Sequence, residues 1–315
     1  MLPTSLVDAS TVAVSASRTA DLLAAFFTGR SPHTIGAYRA DLDDFRSFVG
    51  ADTVEAAAAR LLGGAHGDAN AVALGWRSHL VGLGRSPATI NRRLSSLRSL
   101  VALGRTLGLI NWGIDIRNLP AQPYRDTRGP QREGIVALLA TASAQVDRRK
   151  AARDVALVRL LHDTGLRRAE VCQLDLADVD LAGSRVAVLG KGRREKIGIT
   201  LPEPTRAALK NWIAIRGTEP GPLFIGLDLW AGKRLEQRLT GPGLWHVIKS
   251  LGATAGMITH PHALRHTAIT SALDMTRGDV RAVQRFSRHA DIRTLTIYDD
   301  NREDLGGKVA AMIAV

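Results

Sequence analysis

The sequence is poor in the residues that mark several common classes of protein. It contains a single cysteine, Cys172, among 315 residues, which excludes a disulfide framework and a cysteine-based zinc site. We expect Cys172 to be a small core residue, because it lies in an apolar helical context. No apolar run reaches membrane-spanning length, and the N-terminus lacks the charged and apolar regions of a secretory signal. We therefore expect a cytoplasmic location, in the nucleoid if the protein is bacterial.

Motifs of several enzyme classes are also missing. There is no Gly-x-Ser-x-Gly nucleophile elbow, no phosphate-binding Walker A loop and no cluster of acidic residues suited to a metal. The sequence thus gives no support to serine-nucleophile, nucleotide-driven or metal-assisted chemistry. We expect a protein that uses no metal, no other cofactor and no ATP.

Positive charge and apolar residues are abundant. The formal net charge is +12, the pI is about 10.7, and 45% of the residues are hydrophobic. A chain of this length can form two domains with real cores. The charge favours a polyanionic partner such as nucleic acid, although a solvated basic surface is the simpler alternative.

Helical periodicity and punctuation divide the chain into segments. A Ser-Pro-x-Thr sequence occurs at Ser31 and again at Ser86, and each predicts the start of a helix. Tyr38 falls on the apolar stripe of the first of these helices, so it is interpreted as a core residue. A stretch rich in proline and arginine separates the two halves. The predicted segments are an N-terminal arm (1–17), a helical first domain (18–114), a linker (115–130) and a second domain with a C-terminal tail (131–315).

The second domain is predicted to be helical with one small sheet. Residues 185–189 and 196–201 favour strands that flank a basic turn, which indicates a hairpin. The fold class is therefore mainly α with a small β-sheet in the second domain (α+β). The apolar end of the chain, 309–315, has little to bury against in its own chain, and we predict that it docks on a neighbouring protomer.

One long span contains no acidic residue. Between Asp68 and Asp115 there is no Asp or Glu, whereas six arginines occur. Ordinary solvated faces mix both signs of charge, so this span favours contact with DNA phosphates. Small polar residues beside arginine would let the helix after Ser86 approach the phosphates closely. The candidate DNA-binding residues are Arg77, Arg85, Arg92, Arg93, Ser95, Ser96 and Arg98, with Arg193 and Arg194 at the hairpin.

Histidine, arginine and tyrosine residues that could take part in catalysis occur in a distinctive order in the second half of the chain. A His-x-x-Arg pair, His262 and Arg265, is followed by His289 and then by Tyr298 nine residues later. About one His-x-x-Arg pair is expected by chance in a chain of this composition, so this pair alone is a weak signal. Two earlier stretches, Thr164-Gly-Leu-Arg-Arg-Ala-Glu170 and Gly190-Lys-Gly-Arg-Arg-Glu-Lys196, strengthen the pattern by their order and spacing.

In these motifs the chain resembles the tyrosine recombinases, or phage-type integrases, and in particular their short Xer-like and resolvase-type members. The resemblance extends from about residue 19 to about residue 298. It implies a helical core-binding domain and a catalytic domain that form a C-shaped clamp on DNA. The catalytic positions that it implies are Arg167, Lys191, His262, Arg265, His289 and Tyr298.

The resemblance also implies a mechanism. Tyr298 would attack a phosphodiester to form a 3′-phosphotyrosine, without metal or ATP. Arginine guanidinium groups and His289 would hold the phosphate oxygens. His262 is the candidate base and Lys191 the candidate acid. Glu170 is expected to orient a basic or imidazole group.

The expected partners are double-stranded DNA with inverted-repeat sites and further copies of the chain. We expect a homotetramer in the synapse, held by the C-terminal tail. A host accessory protein is a further candidate partner. The biological outcome would be dimer resolution of chromosomes or plasmids, or integration and excision of a mobile element. Three alternatives stay open: cleavage without strand exchange, as in type IB topoisomerases; a catalytically silent DNA-binding relative; and an unrelated basic helical protein.

The chain departs from the family at one position. The family usually has glycine before the second histidine of the motif, and here Arg288 occupies that place. Glycine would ease a left-handed turn at a helix end. Arg288 must therefore adopt a strained conformation, or the turn must be built in another way.

Overall fold

The computed structural model divides into two compact units, with the division between Gln122 and Pro123. It describes residues 16–120, 129–190, 193, 195–227, 229–230, 233–234, 237–297 and 305–314. No helix in this described part of the chain is long and apolar enough to cross a membrane. The prediction of a mainly helical protein with a small sheet in its second half is confirmed.

The first unit is a helical bundle. Its helices are α1 (Ala16–Phe27), α2 (Pro32–Val49), α3 (Val54–Leu62), α4 (His66–Gly82) and α5 (Pro87–Thr106). Two of them begin at the predicted Ser-Pro signals. Ser31 Oγ accepts from the Thr34 N–H at 3.2 Å, and Ser86 Oγ accepts from the Thr89 N–H at 3.3 Å. In both cases proline occupies the first turn, where its missing N–H costs no helical hydrogen bond.

The core of this unit forms around α5. Trp76 is fully buried, and its ring packs edge-on against Phe45 with centroids 5.2 Å apart. Tyr38 stacks on Phe26 at 5.3 Å, which agrees with its interpretation as a packing residue. Helix α3 was not anticipated from the sequence, although its buried residues Ala57, Ala58, Leu61 and Leu62 recur at helical spacing.

The second unit combines helices with short strands. Its helices are α6 (Arg132–Ser143), α7 (Arg148–Asp163), α8 (Arg168–Gln173), α9 (Glu203–Arg216), α10 (Gly241–Thr254), α11 (Pro261–Met275), α12 (Val280–Ser287) and α13 (Leu305–Ile313). Its strands are β1 (Val179–Asp180), β2 (Arg185–Leu189), β3 (Lys196–Thr200), β4 (Leu229–Trp230) and β5 (Lys233–Arg234). The first three form an antiparallel sheet in the order β1-β2-β3, and β4 pairs with β5.

The predicted hairpin is present. Strand β2 pairs with β3 in a register that places Leu189 opposite Lys196 and Arg185 opposite Thr200. Val186 and Val188 point into the core, and their neighbours along the strand are more exposed. Lys191 and Arg194, at the predicted basic turn, lie outside the described residues.

Helix α7 is the central element of the second core. Ala156, Leu157, Val158, Leu160 and Leu161 are all fully buried, so the helix is covered on most sides, chiefly by α6, α9 and α11. Cys172 also lies in this core, as predicted from its context. Burial raises the pKa of its thiol to about 11.

The end of α7 depends on a glycine. Gly165 follows the helix with a φ of 57°, in the left-handed region that glycine adopts without steric cost. A Cβ atom at this position would lie 3.1 Å from the ring of Phe286. Backbone conformation and close packing therefore both require glycine, which explains the predicted helix stop after Thr164.

We expect Gly165→Ala to destabilise the protein more than Gly256→Ala. Gly256 also has a positive φ, of 74°, but an added Cβ there meets nothing within 4 Å. Both variants bear a backbone cost of about 1–2 kcal/mol, and only Gly165→Ala adds an overpacking cost of about 1–3 kcal/mol. Urea unfolding of the two variants measures the difference. Equal losses of stability would contradict the role of the Phe286 contact.

Candidate active site

Four of the six predicted catalytic residues lie together in the second unit. Arg167, His262, Arg265 and His289 line one cleft of about 510 Å³. Arg167 precedes α8 as its N-terminal cap, His262 and Arg265 lie in the first turns of α11, and His289 follows α12. The other two, Lys191 and Tyr298, lie outside the described residues.

Arg265 joins the ends of two helices. Its side chain is buried, and one terminal nitrogen donates to the carbonyl oxygen of Gly165, just after α7. The other nitrogen donates to the carbonyl of Ser287, the last residue of α12, at 2.5 Å. This second nitrogen also lies 3.4 Å from Nε2 of His289. The guanidinium plane is therefore held from two sides at the floor of the cleft.

Arg167 is held by a buried carboxylate. Its Nη1 lies 2.7 Å from Oε1 of Glu170, and its backbone N–H donates to Oε2 of the same residue at 2.9 Å. Its Nη2 donates to the carbonyl of Arg288 at 3.3 Å. Glu170 is only 3% exposed, so this ion pair lies largely out of water. The expectation that Glu170 contacts a basic group of the site matches this geometry.

His289 sits among cations. Its Nδ1 lies 2.9 Å from Oγ of Ser287. Burial lowers the pKa of His289 to about 4, and the charges of nearby arginines, Arg265 first and Arg167 next, contribute to the shift. The imidazole is therefore neutral at pH 7. An arginine nitrogen can only donate, so the 3.4 Å contact with Arg265 Nη2 gives Nε2 the acceptor role, and Nδ1–H then donates to Ser287 Oγ.

His262 is also held in its neutral form. Its ring is exposed at the cleft, and partial desolvation lowers its pKa, with contributions from Arg265, His260 and Arg167 in that order. The ring lies parallel to that of His260, with centroids 6.5 Å apart. A neutral imidazole at pH 7 can accept a proton, which suits the role of a base.

The turn before His289 is left-handed despite its side chain. Arg288 has φ 57° and ψ 38°, the conformation that glycine usually supplies at a helix end. Of the two possibilities for this turn, the strained left-handed conformation of Arg288 is therefore the one observed. The Arg288 side chain is only 9% exposed and points into the protein toward Glu170.

Five further residues line the cleft that were not predicted as site residues. They are Arg168, Ala169, Trp245, His260 and Pro261. The Nδ1 of His260 accepts from the Ala263 N–H at 3.2 Å and so caps α11. Arg168 and His260 stand beside predicted residues in the sequence, which could have marked them. Trp245 comes from α10, and no local signal links it to the motif.

The candidate DNA-binding arginines of the first unit have acidic neighbours in space. Arg92 and Arg93 form ion pairs with Asp41 and Asp44 of α2, the Arg93–Asp44 pair at 2.5 Å. Asp41 is 1% exposed, so its partners are drawn toward the protein. The segment that has no acidic residues in the sequence therefore lies beside acidic side chains of α2 in the folded protein.

Arg77 and Arg98 bind the chain that follows α5. Arg77 donates to the carbonyl of Arg117 at 3.1 Å, and Arg98 donates to the carbonyl of Ile116 at 2.5 Å. Burial lowers the pKa of Arg98. Both side chains therefore tie segment 116–118 to the bundle.

One residue of the predicted DNA face is misassigned. Ser96 is fully buried, and its hydroxyl donates to the carbonyl of Arg93 at 2.7 Å. A single apolar stripe would leave Ser96 on the polar face, whereas α5 packs against α1, α2 and α4 and is buried over a wider arc. Arg85, Ser95 and, at the hairpin, Arg193 are exposed as expected.

Comparison with known proteins gives a consistent result. The model of the phage integrase family matches residues 131–304, and that of the phage integrase N-terminal SAM-like domain matches residues 25–103. A tyrosine recombinase of Synechocystis sp. is 36% identical over 291 residues, covering 90% of this chain and 91% of that protein. The tyrosine recombinase XerC of Corynebacterium glutamicum is 31% identical over 279 residues, covering 86% and 82%.

Solved structures share the fold. The Tn1549 transposon integrase in complex with a circular intermediate DNA superposes with a TM-score of 0.69 at 18% identity, covering 94% of this chain and 98% of that one. The XerH site-specific recombinase bound to a palindromic difH substrate superposes with a TM-score of 0.65 at 20% identity, covering 95% and 84%.

We expect the stability of the DNA-free protein to fall as the pH is lowered from about 6.5 toward 4. In this window His289 binds a proton in the unfolded chain but not in the folded one, because its folded pKa is lowered to about 4. The free energy of unfolding from urea titrations should therefore depend less steeply on pH in His289→Gln. His260 and His262 shift in the same direction and keep part of the slope in that variant. Identical slopes in the two proteins would rule out this assignment.

Proposed function

This chain belongs to the phage integrase family of tyrosine recombinases, and we propose that it cleaves and rejoins duplex DNA at specific sites through a 3′-phosphotyrosine bond to Tyr298. The observation that carries the proposal is the cleft itself. Two guanidinium groups and two neutral imidazoles, from Arg167, Arg265, His262 and His289, converge in one place. This set suits a phosphodiester, because planar cations bind its oxygens and neutral imidazoles can exchange protons with it.

The charge balance favours an anionic ligand. Arg167, Arg265 and Arg288 bring three positive charges to the site, and Glu170 is the carboxylate bonded to two of them. Among the described residues, Arg265 donates to the neutral carbonyl groups of Gly165 and Ser287. A phosphodiester brings one negative charge, and its transition state for attack gains another. The excess positive charge therefore stabilises the transition state more than the bound substrate.

In the proposed cleavage step, residues of the site accept and supply the protons that move. The Tyr298 oxygen attacks phosphorus, and its proton passes to His262, because a phenol with an ordinary pKa near 10 is a poor nucleophile until it loses that proton. The bond from phosphorus to the 5′-oxygen breaks, and Lys191 gives that oxygen a proton. Attack by a 5′-hydroxyl on the phosphotyrosine reverses the step and restores the tyrosine. The phosphoester bond energy is retained, so no ATP is consumed.

The first unit is proposed to bind DNA. The exposed Arg85 and Ser95, the half-exposed Arg92 and the N-terminus of α5 form the part of the predicted surface that faces solvent. Helix N-termini and arginine side chains are common phosphate ligands. Arg193 and Arg194 of the hairpin are proposed to add contacts from the second unit.

Strand exchange requires more than one copy of the chain. Helix α13 exposes Val309, Met312 and Ile313, which are 56%, 83% and 74% exposed. We propose that this apolar surface docks on a neighbouring protomer and supports a tetramer on two DNA sites. The similar XerH recombinase is bound to a palindromic substrate, and by analogy we propose inverted-repeat sites here. Resolution of chromosome or plasmid dimers and movement of a mobile element both fit this activity.

The wild-type protein is expected to form a covalent complex with DNA that Tyr298→Phe cannot form. The substrate is a nicked duplex carrying a site selected for tight binding by this protein, from which the short cleaved fragment diffuses away. A denaturing gel run without added metal or ATP detects the protein–DNA species. Tyr38→Phe is the matched control and should retain the band, because Tyr38 is a packing residue of the first unit.

The products separate the alternatives. Joined strands from two duplexes indicate a recombinase, whereas relaxation of supercoiled plasmid without joint products indicates the topoisomerase-like activity. Specific binding by the wild type with no covalent band would contradict the proposed chemistry and favour a silent DNA-binding relative.

Binding to DNA should weaken steeply with salt, and the slope should fall in Arg85→Gln. Loss of one phosphate contact lowers the slope of log affinity against log salt by about 1. Arg60→Gln is the matched control. Arg60 is an exposed arginine of the same unit, and its side chain donates to the backbone carbonyl of Val49. Fluorescence anisotropy at several salt concentrations gives the slopes. Equal slopes for Arg85→Gln and wild type would remove Arg85 from the interface.

A further inference from the structure

Arg288 combines a left-handed backbone with a buried charge. Such a conformation costs a residue with a Cβ atom about 1–2 kcal/mol, and burial of a cation adds a desolvation cost. Glycine would form the same turn without either cost. The contacts of the Arg288 side chain must therefore compensate for these two costs, and they indicate what the side chain does.

The Arg288 guanidinium connects the end of α12 to the junction between α7 and α8. Its Nη1 donates to the carbonyls of Phe286 at 2.8 Å and Thr164 at 3.2 Å. Its Nη2 donates to the carbonyl of Gly165 at 2.9 Å and lies 3.3 Å from Oε2 of Glu170. One planar group thus bonds to four acceptors that the chain brings together from positions more than a hundred residues apart.

These contacts converge on Arg167 by two routes. Glu170, which Arg288 binds through Oε2, binds the Arg167 side chain through Oε1 and the Arg167 N–H through Oε2. The backbone carbonyl of Arg288 accepts from Arg167 Nη2 at 3.3 Å. Arg288 therefore supports both the carboxylate that orients Arg167 and the second acceptor of its guanidinium.

The same residue also supports the second arginine of the cleft. Arg265 donates to the carbonyls of Gly165 and Ser287. The first of these carbonyls is shared with Arg288, and the second belongs to the residue before it. Because His289 follows directly, the turn that Arg288 anchors carries the imidazole as well.

We propose that Arg288 is a positioning residue for the scissile phosphate: it anchors the 287–289 turn and Glu170 so that Arg167, Arg265 and His289 are preorganised around one phosphate. The proposal deepens the proposed function and rests on it. Arg288 itself does not touch the phosphate. Its effect passes through Arg167 and the turn, as with other residues that orient catalytic groups.

Arg288→Gly isolates the side chain, because glycine keeps the left-handed turn and relieves its strain. We expect the single-turnover rate of covalent complex formation at saturating DNA to fall roughly 10–100-fold, while the Kd for DNA stays within about twofold because most affinity comes from other phosphate contacts. The control is Arg277→Gly. Arg277 is an exposed arginine of the same unit with a φ of 52°, so this variant loses an arginine and relieves a left-handed residue away from the cleft. It should cleave at the wild-type rate.

A second readout does not depend on cleavage. Inorganic phosphate is titrated into the DNA-free proteins while the imidazole resonances of His262 and His289 are followed by NMR, with His289→Gln used for assignment. We expect phosphate to shift these resonances in wild type and Arg277→Gly at concentrations at least about tenfold lower than in Arg288→Gly, by the same loss of preorganisation.

The outcomes are distinguishable. Wild-type cleavage and phosphate response in Arg288→Gly would overturn the proposal and leave the proposed function intact. A wild-type protein that does not cleave would overturn the proposed function, and the phosphate titration would still decide the role of Arg288. If Arg288→Gly does not fold by circular dichroism, Arg288→Lys decides by both readouts. A single ammonium cannot bond to all four acceptors, so wild-type behaviour of Arg288→Lys would also overturn the proposal.

Discussion

The candidate site depends on the pairing of guanidinium groups with carbonyls at the ends of two helices. The last carbonyls of a helix lack partners within it and carry the negative end of the helix dipole. The chain just after α7 supplies the carbonyls of Thr164 and Gly165, and the end of α12 supplies those of Phe286 and Ser287. Arg265 and Arg288 satisfy these acceptors, and the two helix ends are thereby held together around the cleft.

This arrangement explains why the cleft stays positive. Neutral carbonyls satisfy the hydrogen bonds of a guanidinium without cancelling its charge, and Glu170 is the carboxylate bonded to Arg167 and Arg288. Burial lowers the pKa values of the His262 and His289 imidazoles, and the positive field of the arginines lowers them further, which favours the neutral forms. A bound phosphate would oppose this field and raise both pKa values. In the proposed mechanism, binding of an anion and proton transfer by the histidines would therefore be coupled through the same arginines.

The first unit uses its arginines differently. Arg92 and Arg93 face Asp41 and Asp44, whose carboxylates come from another helix. These ion pairs neutralise part of the positive charge on α5, so that positive surface is left chiefly at the start of this helix. They also fix the direction of the two arginine side chains. A partly neutralised arginine can still reach a phosphate, but it must exchange one anion for another. Such a surface favours contacts whose geometry matches DNA over unselective attraction.

The sequence by itself determined the features that depend on neighbouring residues. The helix starts at Ser31 and Ser86, the stop at Gly165 and the 185–200 hairpin follow from capping, glycine conformation and strand alternation, all of which act within a few residues. The order of Arg167, Lys191, His262, Arg265, His289 and Tyr298 resembles that of the tyrosine recombinases, and the chemistry that this resemblance implies stays a prediction. Tertiary structure alone decided the burial of Ser96, the ion pairs of Arg92 and Arg93, and the approach of Trp245 to the cleft. It also turned Arg288 from an unexplained departure into the centre of a hydrogen-bond network. Those outcomes depend on contacts between residues far apart in the chain, and no local pattern encodes which distant carbonyl or carboxylate a side chain will meet.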